Sequence, residues 1–114
     1  MPVIEVGVSL PKYNTAEVTI TALLDSGSDG TLLPVDLLES IGAKPIGPAR
    51  IRGLWSSSRS ASMYLVKLYV GPHQLFAVRV AGIESKDEPI LGRNVLNQMV
   101  INHNGLAGMV EIVG

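Results

Sequence analysis

The tripeptide Asp25-Ser26-Gly27 is the part of the sequence best suited to acid–base chemistry. It follows the apolar residues 22–24, which have the pattern of a strand end, so its carboxylate is expected at the mouth of a loop. An apolar background of this kind changes how readily a carboxylate ionises. Gly27 has no Cβ and lets a bound peptide backbone approach closely. The alternative is a polar turn in which Asp25 and Ser26 bond only to local backbone groups, and the tripeptide alone does not exclude it.

A second segment, residues 90–94, has the sequence Ile-Leu-Gly-Arg-Asn and joins an apolar strand end to the start of a helix. A positive charge in the first turn of a helix is unfavourable for the helix dipole. We therefore expect Arg93 to have an anionic partner, and Asp29 is the natural candidate. The hypothesis includes partial burial of this ion pair. The alternative is a solvated helix start with Arg93 on the surface.

A long hairpin is predicted between these two segments, over residues 48–71. Its outgoing arm, residues 63–70, is rich in Tyr, Leu and Val, while residues 55–60 are mostly serine and are expected to form a mobile loop. The segment Gly53-Leu54-Trp55 lies at the start of this loop. Taken alone, the feature is also consistent with an ordinary exposed loop.

The remaining elements are short, and most of them are strands. The patterns predict strands over residues 3–10, 16–24, 75–80 and 106–113, a turn at 104–105, and helices over 34–41 and 92–99. Pro34 suits the first turn of the earlier helix and Gly42 suits its C-terminal end. With one Phe and one Trp in the chain, Val, Ile and Leu must fill the core, and this composition favours a mainly β fold.

Length, charge and composition exclude several classes of function. The 114 residues predict one domain spanning 1–114, and 46% apolar against 17% charged residues predict that it folds. The net charge of −1 with no basic run argues against nucleic acid as a partner. The absence of cysteine excludes disulfides and thiolate-bound zinc. No apolar run is long enough for a bilayer and the first residues lack a signal-peptide pattern, so we expect a soluble, cytoplasmic protein without membrane contacts.

The two chemical segments together resemble the signatures of a known family. Residues 24–33, Leu-Asp-Ser-Gly-Ser-Asp-Gly-Thr-Leu-Leu, resemble the active-site loop of retroviral and retroviral-like (retropepsin-like) aspartic proteases. Residues 90–96 resemble the second signature of that family, and the hairpin between them stands where the family has its flap. The resemblance covers residues 3–113 and is nearest to the cellular and bacterial single-domain members. It implies a mainly β acid-protease barrel with a flap hairpin, one or two short helices and a C2 homodimer.

The resemblance also implies a role for each matching residue. Asp25 is implied to be the catalytic aspartate, and Ser26 to form a hydrogen bond across the twofold axis. Gly27 is implied to offer its carbonyl to the substrate backbone. Asp29 is implied to hold the substrate backbone and to pair with Arg93. No cofactor and no metal is implied.

Further expectations concern the flap and Ser28. The flap residues Gly53, Leu54 and Trp55 are implied to close over a bound peptide. Ser28 stands where retroviral enzymes often carry Ala. We expect its hydroxyl to donate a hydrogen bond to Asp25 and so to move the pH range of activity towards acid. The chain also departs from the family at Gly30, where an acidic residue is common, and in a flap that is not rich in glycine.

The proposed chemistry predicts a dimer. Peptide hydrolysis of this kind uses two carboxylates that share one proton. The chain contains one Asp-Ser-Gly sequence, so two copies related by a twofold axis are needed to bring two Asp25 side chains together. The sequence therefore predicts a homodimeric aspartic endopeptidase that acts on extended peptides or proteins.

Two alternatives belong to other classes of protein. The first keeps the fold without the chemistry, as a non-catalytic dimerisation or peptide-binding module. The second is a calcium loop, because Asp25, Asp29, Gly30 and Asp36 fall at its first, fifth, sixth and twelfth positions. Gly27 at the third position, Pro34 within the loop and a strand-like segment before it all count against calcium.

Overall fold

A computed structural model describes residues 2–52 and 58–102 of the chain. The flap residues Gly53, Leu54 and Trp55, and the turn and strand predicted over 104–113, lie outside the described residues.

Strands dominate the described part of the chain, with two short helices. In chain order the elements are β1 (Val3–Ser9), β2 (Val18–Leu24), β3 (Thr31–Pro34), α1 (Val35–Ser40), β4 (Gly47–Arg52), β5 (Ser58–Val70), β6 (His73–Ile83), β7 (Ile90–Leu91) and α2 (Arg93–Asn102). The expectation of a mainly β fold with one or two short helices is confirmed. None of the described helices is long and apolar enough to cross a membrane.

The described strands form one sheet in the order β1-β2-β7-β3-β6-β5-β4. An additional antiparallel pairing between β1 and β5 closes the sheet on itself and leaves β4 outside the closed ring. The inward faces carry the core, in which Val6, Val8, Val66, Leu68 and Val80 are fully buried. β-branched residues suit such a pleated and closely packed surface, which explains how the chain forms a core with so few aromatic residues.

Helix α1 begins and ends near the residues that the sequence indicated. Pro34 precedes its first residue with φ −61° and ψ 136°, and Gly42 follows it with φ 82°, in the left-handed region that glycine tolerates. The predicted hairpin over 48–71 is also present, formed by β4 and β5.

The serine-rich segment differs from the expectation of a loop over 55–60. Residues 58–60 belong to β5, where Ser58 pairs with Arg52 and Ser60 with Arg50. Residues 58–62 of β5 pair with β4 although they precede the arm over 63–70 that was predicted from Tyr, Leu and Val. The hydrogen bonds between strands join backbone groups and do not depend on apolar side chains. Strand β6 likewise exceeds the predicted 75–80 at both ends.

Three neighbouring strands, β2, β7 and β3, bring the two chemical segments together. β7 pairs in parallel with the end of β2, at Leu23 with Ile90 and Leu24 with Leu91. It also pairs antiparallel with β3, where Leu32 faces Ile90. As a result, the loop that leaves β2 and the helix that follows β7 begin side by side.

Candidate active site

Asp25 is the first residue after β2, at the point where the chain leaves the sheet. Leu24, immediately before it, is buried, and the Asp25 amide donates to the carbonyl of Leu91 at 3.1 Å. The Asp25 carbonyl then accepts from the Ser28 amide at 3.1 Å, which closes a tight turn. The sheet therefore holds the amide of Asp25 and the turn holds its carbonyl, while its side chain is half-buried at the surface.

The Asp25 carboxylate is oriented by the loop itself. Its Oδ1 accepts a hydrogen bond from the Gly27 amide at 2.9 Å, and a Cβ at position 27 would lie only 3.2 Å from the same oxygen. Among the described residues, the second carboxylate oxygen accepts no hydrogen bond. Ser26 is exposed beside it. The arrangement fixes one carboxylate oxygen of a half-buried side chain and leaves the other without a partner among the described residues.

Ser28 makes a different contact from the one expected. Its hydroxyl donates to the carbonyl of Gly30 at 2.8 Å, inside the same loop. Because a hydroxyl has a single proton to donate, the predicted hydrogen bond to Asp25 is wrong in this structure. The hydrogen bond that was expected to move the pH profile towards acid is therefore not formed. Ser28 instead stabilises the turn that carries Asp29 and Gly30.

A second set of contacts, which the sequence did not reveal, joins this loop to α2. Thr31 is buried at the start of β3, and its hydroxyl donates to Asn94 Oδ1 at 2.7 Å and accepts from the Gly92 amide at 3.1 Å. Asn94 in turn donates from Nδ2 to the carbonyl of Arg79 on β6 at 3.0 Å. The only signal in the sequence was a polar Thr before an apolar run, which does not identify a partner 63 residues away.

Asp29 and Arg93 form the predicted ion pair. The Arg93 guanidinium donates to Asp29 Oδ1, and the Arg93 amide donates to the Ser28 carbonyl at 2.8 Å. The prediction that the pair is partly buried is wrong for the single chain, because 53% of the Arg93 side chain and 86% of the Asp29 side chain are exposed. The helix start faces solvent, so the pair remains hydrated.

We therefore expect Arg93→Ala to lower the free energy of unfolding of the single chain by less than about 1 kcal/mol, as for other exposed ion pairs. Urea unfolding at the lowest workable chain concentration measures this, with Arg93→Lys as the variant that keeps the charge. A loss of several kcal/mol that persists on dilution would mean that the pair is desolvated within one chain.

A groove of about 700 Å³ runs beside the loop. Its lining includes residues 27–32 of the loop and β3, Ala49 and Arg50 of β4, Met63 of β5, and Arg79 and Ala81 of β6. Both described arms of the hairpin formed by β4 and β5 therefore contribute to the groove, together with the loop.

The calcium alternative does not fit this geometry. Residues 31–34 form β3 in the middle of the supposed calcium loop, and Asp36 lies on α1, where its carboxylate accepts from the Ser85 hydroxyl. Within residues 2–52 and 58–102, no three acidic or histidine side chains are grouped so as to hold a metal ion.

The fold is that of the retropepsin-like proteases. The EIAV protease complexed with the inhibitor HBY-793 is similar with a TM-score of 0.65 at 19% identity, over 85% of this chain and 86% of that one. A retropepsin-like aspartic protease from Rickettsia conorii has a TM-score of 0.57 at 13% identity, over 85% of this chain and 78% of that one. The foamy viral protease-reverse transcriptase has a TM-score of 0.60 at 21% identity, over 86% of this chain and 12% of that much longer one.

The sequence itself assigns the family. Residues 12–95 match the family model described as aspartyl protease, so the chain belongs to the aspartyl protease family. No curated protein is significantly similar to it in sequence. The resemblance read from the two motifs is thereby confirmed.

Proposed function

We propose that this chain is an aspartic endopeptidase that works as a homodimer and hydrolyses peptide bonds within extended peptides or proteins. The observation that carries the proposal is the carboxylate of Asp25. It is held through one oxygen by the Gly27 amide, its other oxygen accepts no hydrogen bond from the described residues, and it lies two residues before Gly27, which lines a groove together with the arms of the hairpin. Membership of the aspartyl protease family supports the same chemistry.

The proposed dimer follows from the number of catalytic carboxylates that one chain supplies. Asp25 stands in the one Asp-Ser-Gly sequence of the chain, whereas the reaction needs two carboxylates sharing a proton. A twofold axis beside Asp25 supplies the second carboxylate from an identical chain. Ser26, which is exposed next to Asp25, would form a hydrogen bond across this axis. Each chain also brings its own groove, so an extended peptide has one on either side of the scissile bond.

The proposed mechanism assigns different tasks to the two carboxylates. The ionised one removes a proton from a water molecule, whose oxygen attacks the carbonyl carbon of the scissile bond. The protonated one donates a hydrogen bond to the carbonyl oxygen, which becomes a hydroxyl as the tetrahedral intermediate forms. When the C–N bond breaks, the leaving nitrogen takes the proton that the first carboxyl group removed from water, and the second carboxylate takes a proton back from one hydroxyl of the intermediate. The products are an amine and a carboxylic acid, and the two carboxyl groups again share one proton. The Gly27 amide keeps Asp25 oriented throughout.

A peptide library tests the activity. Incubation at acidic and neutral pH, with and without the aspartic-protease inhibitor pepstatin, is expected to give pepstatin-sensitive internal cleavages that mass spectrometry identifies. Intact peptides, together with peptide binding, would instead support a non-catalytic binding module of the same fold.

The dimer predicts how activity depends on concentration. Well below the dissociation constant of the dimer, the rate is expected to rise with about the square of the chain concentration, and well above it linearly. Initial rates over a dilution series, compared with sedimentation at the same concentrations, give both limits. A rate proportional to concentration throughout, from a chain that sediments as a monomer, would contradict the shared site.

A further inference from the structure

We infer that the groove selects substrates with a glutamate side chain, held by Arg79 in the middle of β6. The inference rests on the proposed function and specifies its substrate class. One such glutamate is expected on each side of the scissile bond, because a dimer has two copies of the groove.

The groove carries more positive than negative charge. Arg79 and Arg50 both line it, and both are exposed. The acidic residue of the lining, Asp29, is already paired with Arg93. Within the described part of the chain Arg79 has no ion-pair partner of its own. An incoming carboxylate therefore meets a guanidinium in the lining, where the acidic residue is already paired.

The position of Arg79 on β6 explains why its side chain faces the groove. Val78 and Val80, on either side of it, are buried in the core, so the alternation of a strand directs Arg79 to the opposite face. Ala81, two residues further on, lines the groove on the same face. The carbonyl of Arg79, not its side chain, accepts the hydrogen bond from Asn94, so the guanidinium is not used by that contact.

Two apolar residues in the groove lining favour glutamate over shorter acids. Met63 on β5 pairs with Ala81 on β6, and both line the groove together with Arg79. Their apolar side chains suit the methylene groups of a glutamate while the carboxylate reaches the guanidinium. Arginine also binds carboxylates through two parallel hydrogen bonds, which a neutral amide cannot reproduce.

The test compares peptide sets that are identical except for Glu, Gln or Lys at each position near a bond that the wild-type protein cleaves. At one position on each side of the bond, we expect kcat/KM for Glu to exceed that for Gln by about tenfold, as for a charge-assisted hydrogen bond. The preference is expected to weaken when salt is raised from about 50 mM to about 500 mM. Arg79→Gln is expected to abolish it, and Arg79→Glu to favour Lys. Lys44→Gln, which removes an exposed charge outside the groove lining, is the matched control and is expected to change nothing.

Binding to the Asp25→Asn chain separates this inference from the proposed function. Fluorescence anisotropy with labelled Glu and Gln peptides reports the preference without cleavage. Equal cleavage of the two peptides, or a preference unchanged in Arg79→Gln, would overturn the glutamate site while leaving the protease intact. Tighter binding of Glu peptides that depends on Arg79, with no cleavage by the wild type, would support the site and overturn the protease.

Discussion

Asp25→Asn is expected to lower cleavage by at least about a thousandfold while the chain keeps its fold. A general base contributes a factor of this order, and an amide cannot take the proton from water. Asn keeps the shape of the side chain, and its oxygen can still accept from the Gly27 amide that now holds Asp25 Oδ1. Circular dichroism and thermal unfolding are therefore expected to be close to wild type. The measurement is kcat/KM for a peptide of the library that the wild-type protein cleaves.

Glu39→Gln is the matched control for this change. Glu39 is an exposed carboxylate on α1, and the substitution likewise replaces an acid with its amide. Activity of the control is expected to equal that of wild type. Comparable activity in purified Asp25→Asn would show that another group performs the chemistry.

Mixing the two chains tests the shared site directly. If equal amounts of wild-type and Asp25→Asn chains exchange partners at random, about a quarter of the dimers contain two intact Asp25 residues. Activity is then expected to fall to about a quarter of that of the same total amount of wild type. A fall to only half would mean that each chain acts through its own carboxylate alone.

The sequence predicted the parts of the site that lie close together along the chain. The turn at Asp25 follows from a strand end, a polar tripeptide and Gly27, and all of these are neighbours. The Asp29–Arg93 pair was also predictable, because a cation at a helix start is unfavourable without an anionic partner and Asp29 in the other motif was the natural candidate. Its exposure was not predictable, since burial depends on how α2 packs and not on residue type.

The contacts that the sequence missed depend on pairing between distant strands. β3 and β7 have four and two residues, too few for a periodic pattern to show. Their register nevertheless decides that Thr31 meets Asn94 and that Arg79 lines the groove. A shift of one residue in β6 would turn Arg79 into the core, so its role cannot be read before the register is known.

A substitution at Gly92, which is packed against the backbone of the loop, is expected to have a large effect on the site. Gly92 lies between β7 and α2, and its amide donates to the Thr31 hydroxyl. A Cβ placed on Gly92 would lie 2.1 Å from the Gly30 carbonyl oxygen and 2.8 Å from that of Ser28. Both atoms belong to the backbone, so no side-chain rotation can relieve the clash. The loop and the helix must move apart.

We therefore expect Gly92→Ala to lower the free energy of unfolding by at least about 1–3 kcal/mol, the usual cost of overfilling a packed site. The larger effect is expected on catalysis, because displacement of residues 28–30 also moves the turn that orients Asp25. A shift of about 1 Å in a reacting group can lower the rate about a hundredfold. Gly47→Ala makes the same chemical change in β4, where a Cβ meets no atom within 4 Å, and it is expected to be nearly neutral. Urea unfolding and kcat/KM of both variants measure these effects on stability and catalysis. Equal behaviour of the two would mean that the loop and α2 do not need their close contact for either stability or cleavage.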